Sequence, residues 1–345
     1  MKKPTERQLK ILEFIRKSGK TSNKEIKEYL KNISRITVVR DLDSLLGMDL
    51  IQQEGKGRSI YYQEKIEKDF LKYIDIDKYF QQEFNKRKLK FKKFNFDVFK
   101  NIKDIFTIEE IKELKAFNMQ HKNRVKKLSD NELKKEFERL TIELSWKSSK
   151  IEGNTYSLID TEILIKEQKE AIGHKKEESI MILNHKKALD YISDKRGDFK
   201  KLSLVKIRSI HDLIIDGLNI DRGFRKNPVR ITGTEYFPLS NQHQIIEAME
   251  KDVKTINRLP NPFSKAIFAI VMISYIQPFA DGNKRTSRLL GNALLMANNI
   301  CPLSFRSVDE AEYKKSLIIF YEQNNLRSFK ELFIEQFKFA VENYG

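Results

Sequence analysis

The chain has 345 residues, 40% of them hydrophobic and 33% charged, which excludes a disordered or fibrous polymer and leaves room for two or three domains. A formal net charge of +17 and a pI near 9.5 favour nucleic acid or another acidic partner, although a lysine-rich composition alone gives the same bias. A single cysteine, Cys301, excludes an intrachain disulfide and fits a reducing compartment, where it reads as a small core hydrophobe. The N-terminal stretch, Met1 to Glu6, has no apolar leader, and the longest apolar run, near Ile267 to Ile276, is too short to span a bilayer. A cytoplasmic protein without membrane attachment is expected.

Residues 5–18 read as a helix capped by Thr5, with a stripe of Leu9, Leu12 and Ile15. A second helix near 23–31 turns Ile26, Tyr29 and Leu30 inward. A third, from about Arg35 to Met48, places Ile36, Val39, Leu42, Leu45 and Leu46 on one face and exposes Ser34, Arg35, Thr37 and Arg40. Residues 50–53 and 60–62 then pair as a hairpin about the turn Glu54-Gly55-Lys56-Gly57-Arg58. Three helices followed by a basic hairpin resemble a winged helix-turn-helix domain, over residues 1–65. The resemblance implies DNA contact. Arg35, Thr37 and Arg40 would enter a major groove, and Lys56 and Arg58 would reach a neighbouring phosphate or minor groove. Asp41 and Asp43 are expected to temper that positive face.

Residues 66–130 read as a charged helical linker that includes the basic run 86–93. A helix over 132–146, with Leu133, Phe137, Leu140, Ile142 and Leu144 at helical spacing, runs into Ser148-Ser149-Lys150-Ile151-Glu152-Gly153. Ser148 and Glu152, four apart, share a helix face, and Gly153 can end the helix. His185 and His211 lie on amphipathic helices and read as structural. At 221–240 the helical period stops. Val229, Arg230, Ile231, Thr232 and Gly233 suggest a short strand and turn among prolines.

The most informative stretch is Gln277-Pro278-Phe279-Ala280-Asp281-Gly282-Asn283-Lys284-Arg285-Thr286-Ser287-Arg288, set between two apolar runs. A helix stops, a glycine turns the chain, and a new helix points its first N–H groups at an anion. Asp281 could hold a divalent metal, and Lys284, Arg285 and Arg288 could pair with phosphate oxygens.

This stretch resembles the signature loop of the Fic family, His-x-Phe-x-(Asp/Glu)-Gly-Asn-(Gly/Lys)-Arg-x-x-Arg, with Gln277 in place of the histidine. The fold so implied is mainly helical: a winged helix-turn-helix domain and, over 131–345, a Fic-type bundle with a small β-hairpin flap. The resemblance implies transfer of AMP from ATP to a serine, threonine or tyrosine hydroxyl of a protein target. Asp281 would hold Mg²⁺. Phe279, Gly282, Asn283, Lys284, Arg285 and Arg288 would bind the nucleotide, and Arg285 would join position 277 in catalysis. Ser148, Glu152 and Gly153 resemble the family's inhibitory motif, (Ser/Thr)-x-x-x-Glu-(Gly/Asn), in which the glutamate pairs with the loop's last arginine, here Arg288. The 229–233 stretch, after Gly223 and Arg225, resembles the flap that aligns a target peptide by strand addition. A homodimer stays open.

Gln277 cannot accept a proton at any useful pH, and loss of a general base costs about 10²–10⁴ in rate. Three readings stay open: an engineered replacement, a natural member that senses nucleotide with little transfer, or a different proton acceptor. Two further functions stay open as well. One is a DNA-binding regulator whose Fic domain only binds nucleotide. The other is a phosphotransferase like the related Doc branch, where a lysine stands at the position of Lys284.

Overall fold

The structure, a computed structural model, describes residues 4–344 except Asp49, Ile66, Glu67, Tyr73 and Asp75, and without the side chain of Arg58. Two compact units divide the chain, Met1–Arg87 and Lys88–Gly345.

In the first unit, α1 (Glu6–Ser18) starts at Thr5, whose hydroxyl accepts from Gln8 N while the Gln8 side chain accepts from Thr5 N. β1 (Thr21–Ser22), α2 (Asn23–Leu30), α3 (Arg35–Gly47), β2 (Ile51–Glu54) and β3 (Tyr61–Glu64) follow. The strands form one antiparallel sheet in the order β1-β3-β2, with Thr21 opposite Tyr62 and Ile51 opposite Glu64. β1 is too short to carry a sequence period, so only the pairing defines it.

The core of this unit gathers Ile11, Leu12, Ile15, Ile26, Val38, Leu42 and Leu45. The expectations for four residues change here. Leu9 and Ile36 are exposed, at 50% and 66%, because the buried faces run through Ile11 and Val38 instead. Tyr29 stays largely exposed and stacks on Phe14 at 4.3 Å between ring centroids. Asp41 does not temper the outer face of α3. It is buried and pairs with Arg7 and Gln8 of α1, so its charge is spent inside the unit. α4 (Ile76–Phe80) closes this part, with Arg87 over the Phe80 ring at 4.7 Å.

Beyond Arg87 the chain packs with the second unit. Lys90 N and Phe91 N both donate to Glu322 O, and Phe237 N donates to Lys92 O. Residues 81–97 are turns and bends with one bridge, where a helical linker was expected; from Lys88 on, this backbone finds its partners in the helical bundle. α5 (Val98–Asn101), α6 (Ile108–Val125), α7 (Asp130–Ile151), α8 (Leu158–Glu167), α9 (Lys176–Asp194) and α10 (Leu204–Ile214) follow. After them come α11 (Gln242–Arg258), α12 (Pro262–Ile276), α13 (Asn283–Met296), α14 (Glu310–Gln323) and α15 (Arg327–Asn343). α12 is buried along nearly its whole length, as an all-round apolar helix must be. It packs along α13, and Gly291 makes the approach possible: a Cβ there would stand 2.6 Å from the Ile270 side chain. α7, α9 and α10 cover α13, while α11 and α14 cover α12. No helix among the described residues is long and apolar enough to cross a membrane.

The expected hairpin over 229–233 takes the form of an extended segment with a turn at Thr232-Gly233 and one bridge, from Phe237 to Lys93. Val229 and Ile231 are half-buried. Arg230 is exposed, with its guanidinium over the Phe237 ring at 3.9 Å.

Candidate active site

α12 ends because Gln277 adopts a left-handed conformation (φ 50°), its N–H closing on Ile273 O at 3.0 Å. The Gln277 side chain turns back on the same helix end: Nε2 donates to Ser274 O at 2.7 Å. The turn is clamped from outside by Arg225, which is buried. Its Nε donates to Gln277 O at 2.6 Å, its backbone N donates to Pro278 O at 3.0 Å, and Nη2 donates to Leu239 O. The sequence marked Arg225 only as a lead-in to the flap. Its role as a clamp needs three carbonyls that converge only in the fold.

Phe279 is fully buried and stacks face to face on His211 with 3.6 Å between ring centroids. His211 Nε2 lies 3.0 Å from Asp281 O, which assigns the ring proton to that nitrogen. Burial first, offset in part by that hydrogen bond, lowers the His211 pKa to about 4, so the ring is neutral at physiological pH. The sequence read His211 as structural, and it is, but it supports the loop itself. Asn283 closes the turn: Oδ1 accepts from Phe279 N and Nδ2 donates to Phe279 O, both at 2.9 Å. Phe279 and Asn283 therefore shape the loop, and their side chains are spent on it.

Gly282 starts α13 at φ 77°, where an added Cβ would stand 3.2 Å from Ile214 Cγ2. The left-handed start favours glycine, and the tight approach of Ile214 adds to that preference. No side chain among the described residues caps α13, so its first N–H groups remain available to an anion. Around that helix start stand three cations. Arg285 is buried and reaches Asp281 Oδ2 at 3.3 Å. Arg288 is fully buried. Lys284 is one-quarter exposed. Among the described residues, Arg285 and Arg288 each keep a buried Nη1 with no hydrogen-bond partner, donors that a phosphate would satisfy.

α7 delivers the opposing carboxylate. Its N-terminus is fixed by a capping box between Ser129 and Glu132, and Gly153 at φ 97° takes the chain away after Glu152. Arg288 Nε donates to Ser148 Oγ at 2.9 Å, and its Nη2 donates to Ser148 O at 2.7 Å and to Glu152 Oε1 at 2.9 Å. Lys284 Nζ stands 3.5 Å from Glu152 Oε2, a second cation that the sequence did not pair with it. Burial by itself would raise the Glu152 pKa. The charges of Arg288 and Lys284 more than reverse that, so its carboxyl lies below the usual range and is ionised. Tyr313, fully buried, lies under the Arg288 guanidinium at 5.3 Å.

Asp281 is two-thirds exposed. Among the described residues no group of three or more His, Cys, Asp or Glu stands together. A divalent ion here would thus take one carboxylate and complete its shell with phosphate oxygens and water, which suits Mg²⁺.

In the first unit, Arg35, Arg40 and Lys56 are exposed, Thr37 is half-buried, and none of the cations pairs with a carboxylate among the described residues. The side chain of Arg58 lies outside the described part.

Residues 201–295 match the model of the Fic/DOC family. The Protein adenylyltransferase Fic of Drosophila persimilis is 26% identical over 166 residues, which cover 47% of this chain and 33% of that protein. A probable protein adenylyltransferase of Aquifex aeolicus is 30% identical over 103 residues, 28% of this chain and 31% of that one. The chain thus spans about one-third of the length of these curated relatives. The solved structure of Fic-1 (aa134 - 508) from C. elegans superposes with a TM-score of 0.60 at 20% identity, over 68% of this chain and 72% of that one, and so shares the fold. The loop of Gln277 to Arg288 lies inside the matched residues, so residues 201–295 carry a Fic/DOC domain, and through that domain the chain is similar to protein adenylyltransferases.

Proposed function

We propose that the chain is a Fic-type nucleotide-binding protein, akin to enzymes that move AMP from ATP to a protein hydroxyl. In this reading Glu152 holds the site closed and Gln277 leaves it with weak or no transfer. The observation that carries it is the Arg288 guanidinium: fully buried, bonded to Glu152 and Ser148, and with one buried Nη1 that has no partner among the described residues. A carboxylate sits on the fork that a phosphate needs.

In AMP transfer the target oxygen attacks the α-phosphorus, the bond to the β-phosphate breaks, and pyrophosphate leaves. The target's proton must go to a base. Gln277 has no basic lone pair, and its amide N–H₂ is already engaged with Ser274 O, so it does not accept the proton. The start of α13, Lys284, Arg285 and Arg288 would stabilise the phosphates. Mg²⁺ held by Asp281 would neutralise charge on them when bound. The partner would be a protein hydroxyl presented along residues 229–233.

The test is calorimetric titration of ATP with Mg²⁺ into wild type and Glu152→Gly, followed by intact mass after incubation. Tighter binding in the variant is expected. No binding to either protein would overturn the reading. A gain of AMP identifies adenylyl transfer, whereas a gain of phosphate would favour a Doc-like reaction through Lys284.

A second reading is supported by the first unit. Exposed Arg35, Arg40 and Lys56, with Ile36 standing free beside them, suit a DNA-binding surface in which cations meet phosphates or guanine and Ile36 meets a thymine methyl. Such a protein would be a regulator whose Fic domain senses nucleotide. Specific retention in a gel shift, lost on Arg40→Ala, supports it; no sequence preference in a random-oligonucleotide selection would reject it.

A further inference from the structure

The far ends of α7 and α13, opposite the ends that carry Glu152 and the loop, border a cleft of about 470 Å³. That volume lies in the range of small-ligand sites. The floor is apolar, with Val125 from α6, Leu133, Phe137 and Leu140 from α7, and Ile300 after α13. Lys122, Lys126 and Arg196 stand on its lining. None of these three has a carboxylate within ion-pair distance among the described residues; Glu136 shares the lining and is matched by Arg139 at 2.7 Å. His121, also in the lining, is neutral: burial, then the charges of Arg124 and Lys122, lower its pKa to about 4.

We propose that this cleft binds a medium-chain fatty-acyl carboxylate, its tail on Phe137, Leu140 and Ile300 and its head group among Lys122, Lys126 and Arg196. The apolar floor removes the tail from water. The cations supply a positive potential that a carboxylate meets and a neutral or cationic head does not. The cleft shares no residue with the loop, so nucleotide binding is not required for it to fill.

The experiment is calorimetry on the full chain without nucleotide, titrating decanoate below its micelle threshold beside decanol and decyltrimethylammonium. Saturable one-to-one binding of decanoate is expected, with decanol weaker and the cation undetected. The double variant Lys122→Glu/Arg196→Glu should weaken decanoate about tenfold. Leu133→Trp should abolish binding by filling the floor, with a thermal melt to verify the fold. Three outcomes would each overturn the proposal: no saturable decanoate binding by wild type, equal affinity for decanoate and decanol, or affinity unchanged by the charge reversal. If ATP fails to bind while decanoate binds, the nucleotide reading falls and this one stands.

Discussion

Two regions of the molecule place cations at the start of a helix, and they use them in opposite ways. At α13, Arg285 and Arg288 are buried to 2% and 0% exposure and held by named partners. At α3, Arg35 and Arg40 stand in solvent. A buried guanidinium must be matched by an anion in one geometry, because leaving it unpaired costs several kcal/mol. An exposed one loses little when unpaired and gains by counterion release when it meets phosphate. In the proposed reading the first region is a switch, with Glu152 and phosphate as alternatives. The second would be an additive surface, where each cation contributes a small and salt-dependent share.

The largest expected effect breaks the switch and repairs the base together. In a Glu152→Gly background, Gln277→His should raise AMP transfer about 10²–10⁴-fold, measured as AMP incorporation per minute. An unchanged rate would mean that position 277 does not face the reacting hydroxyl.

Next comes Glu152→Gly alone. Removing one partner of a buried pair should destabilise the apo protein by about 3 kcal/mol, the low end of the usual range, because Ser148 keeps its contacts to Arg288. Calorimetric melting should show that loss, with ATP and Mg²⁺ restoring stability by mass action. Acid should act in the same direction. The Glu152 pKa is depressed in the fold, so its contribution is present above the ordinary carboxylate range and is lost as pH falls through the lowered value.

Gly282→Ala tests whether the loop's shape matters as much as its charges. It forces a left-handed alanine toward Ile214 and should cost about 1–3 kcal/mol and weaken nucleotide binding, read by melting and titration. At the exposed surface, Arg40→Ala should lower DNA affinity by about 1–3 kcal/mol if it reads a base, or reduce the salt slope by about one if it meets phosphate.

The smallest effect concerns a buried carboxyl with no partner among the described residues. Asp252 is fully buried, neither of its oxygens has a hydrogen bond there, and burial pushes its pKa well above the ordinary value. Stability on its account is complete below about pH 4 and declines as pH rises toward the raised value. Asp252→Asn should remove that decline, seen as a flatter dependence of melting temperature on pH.

Much of the candidate site was legible because its residues are neighbours in the chain. The loop from Gln277 to Arg288 carries glycine, carboxylate and cations within twelve positions, and Ser148 and Glu152 share one turn of helix. The pairing of Glu152 with Arg288 across 136 residues was legible only through the family resemblance, and that of Ser148 with the same arginine was not read at all. The faces of α1 and α3 were misjudged at Leu9 and Ile36, because an apolar stripe on a short helix fits two rotations and packing against the neighbours chooses between them. β1 escaped notice because two residues have no period. The fate of the flap escaped it because extended backbone reads alike whether or not it finds a partner strand.

The sequence by itself determined the helical class, the caps, the break at Gly282 and the absence of a basic side chain at position 277. All of these follow from residue type and near spacing. Only the tertiary structure decided that Arg225 clamps the turn, that His211 supports Phe279, that Lys284 joins Arg288 on Glu152, and that Asp41 spends its charge on Arg7. Each of those is a contact between distant segments. Its strength depends on burial and on the direction in which a donor points, and neither quantity exists until the chain has folded.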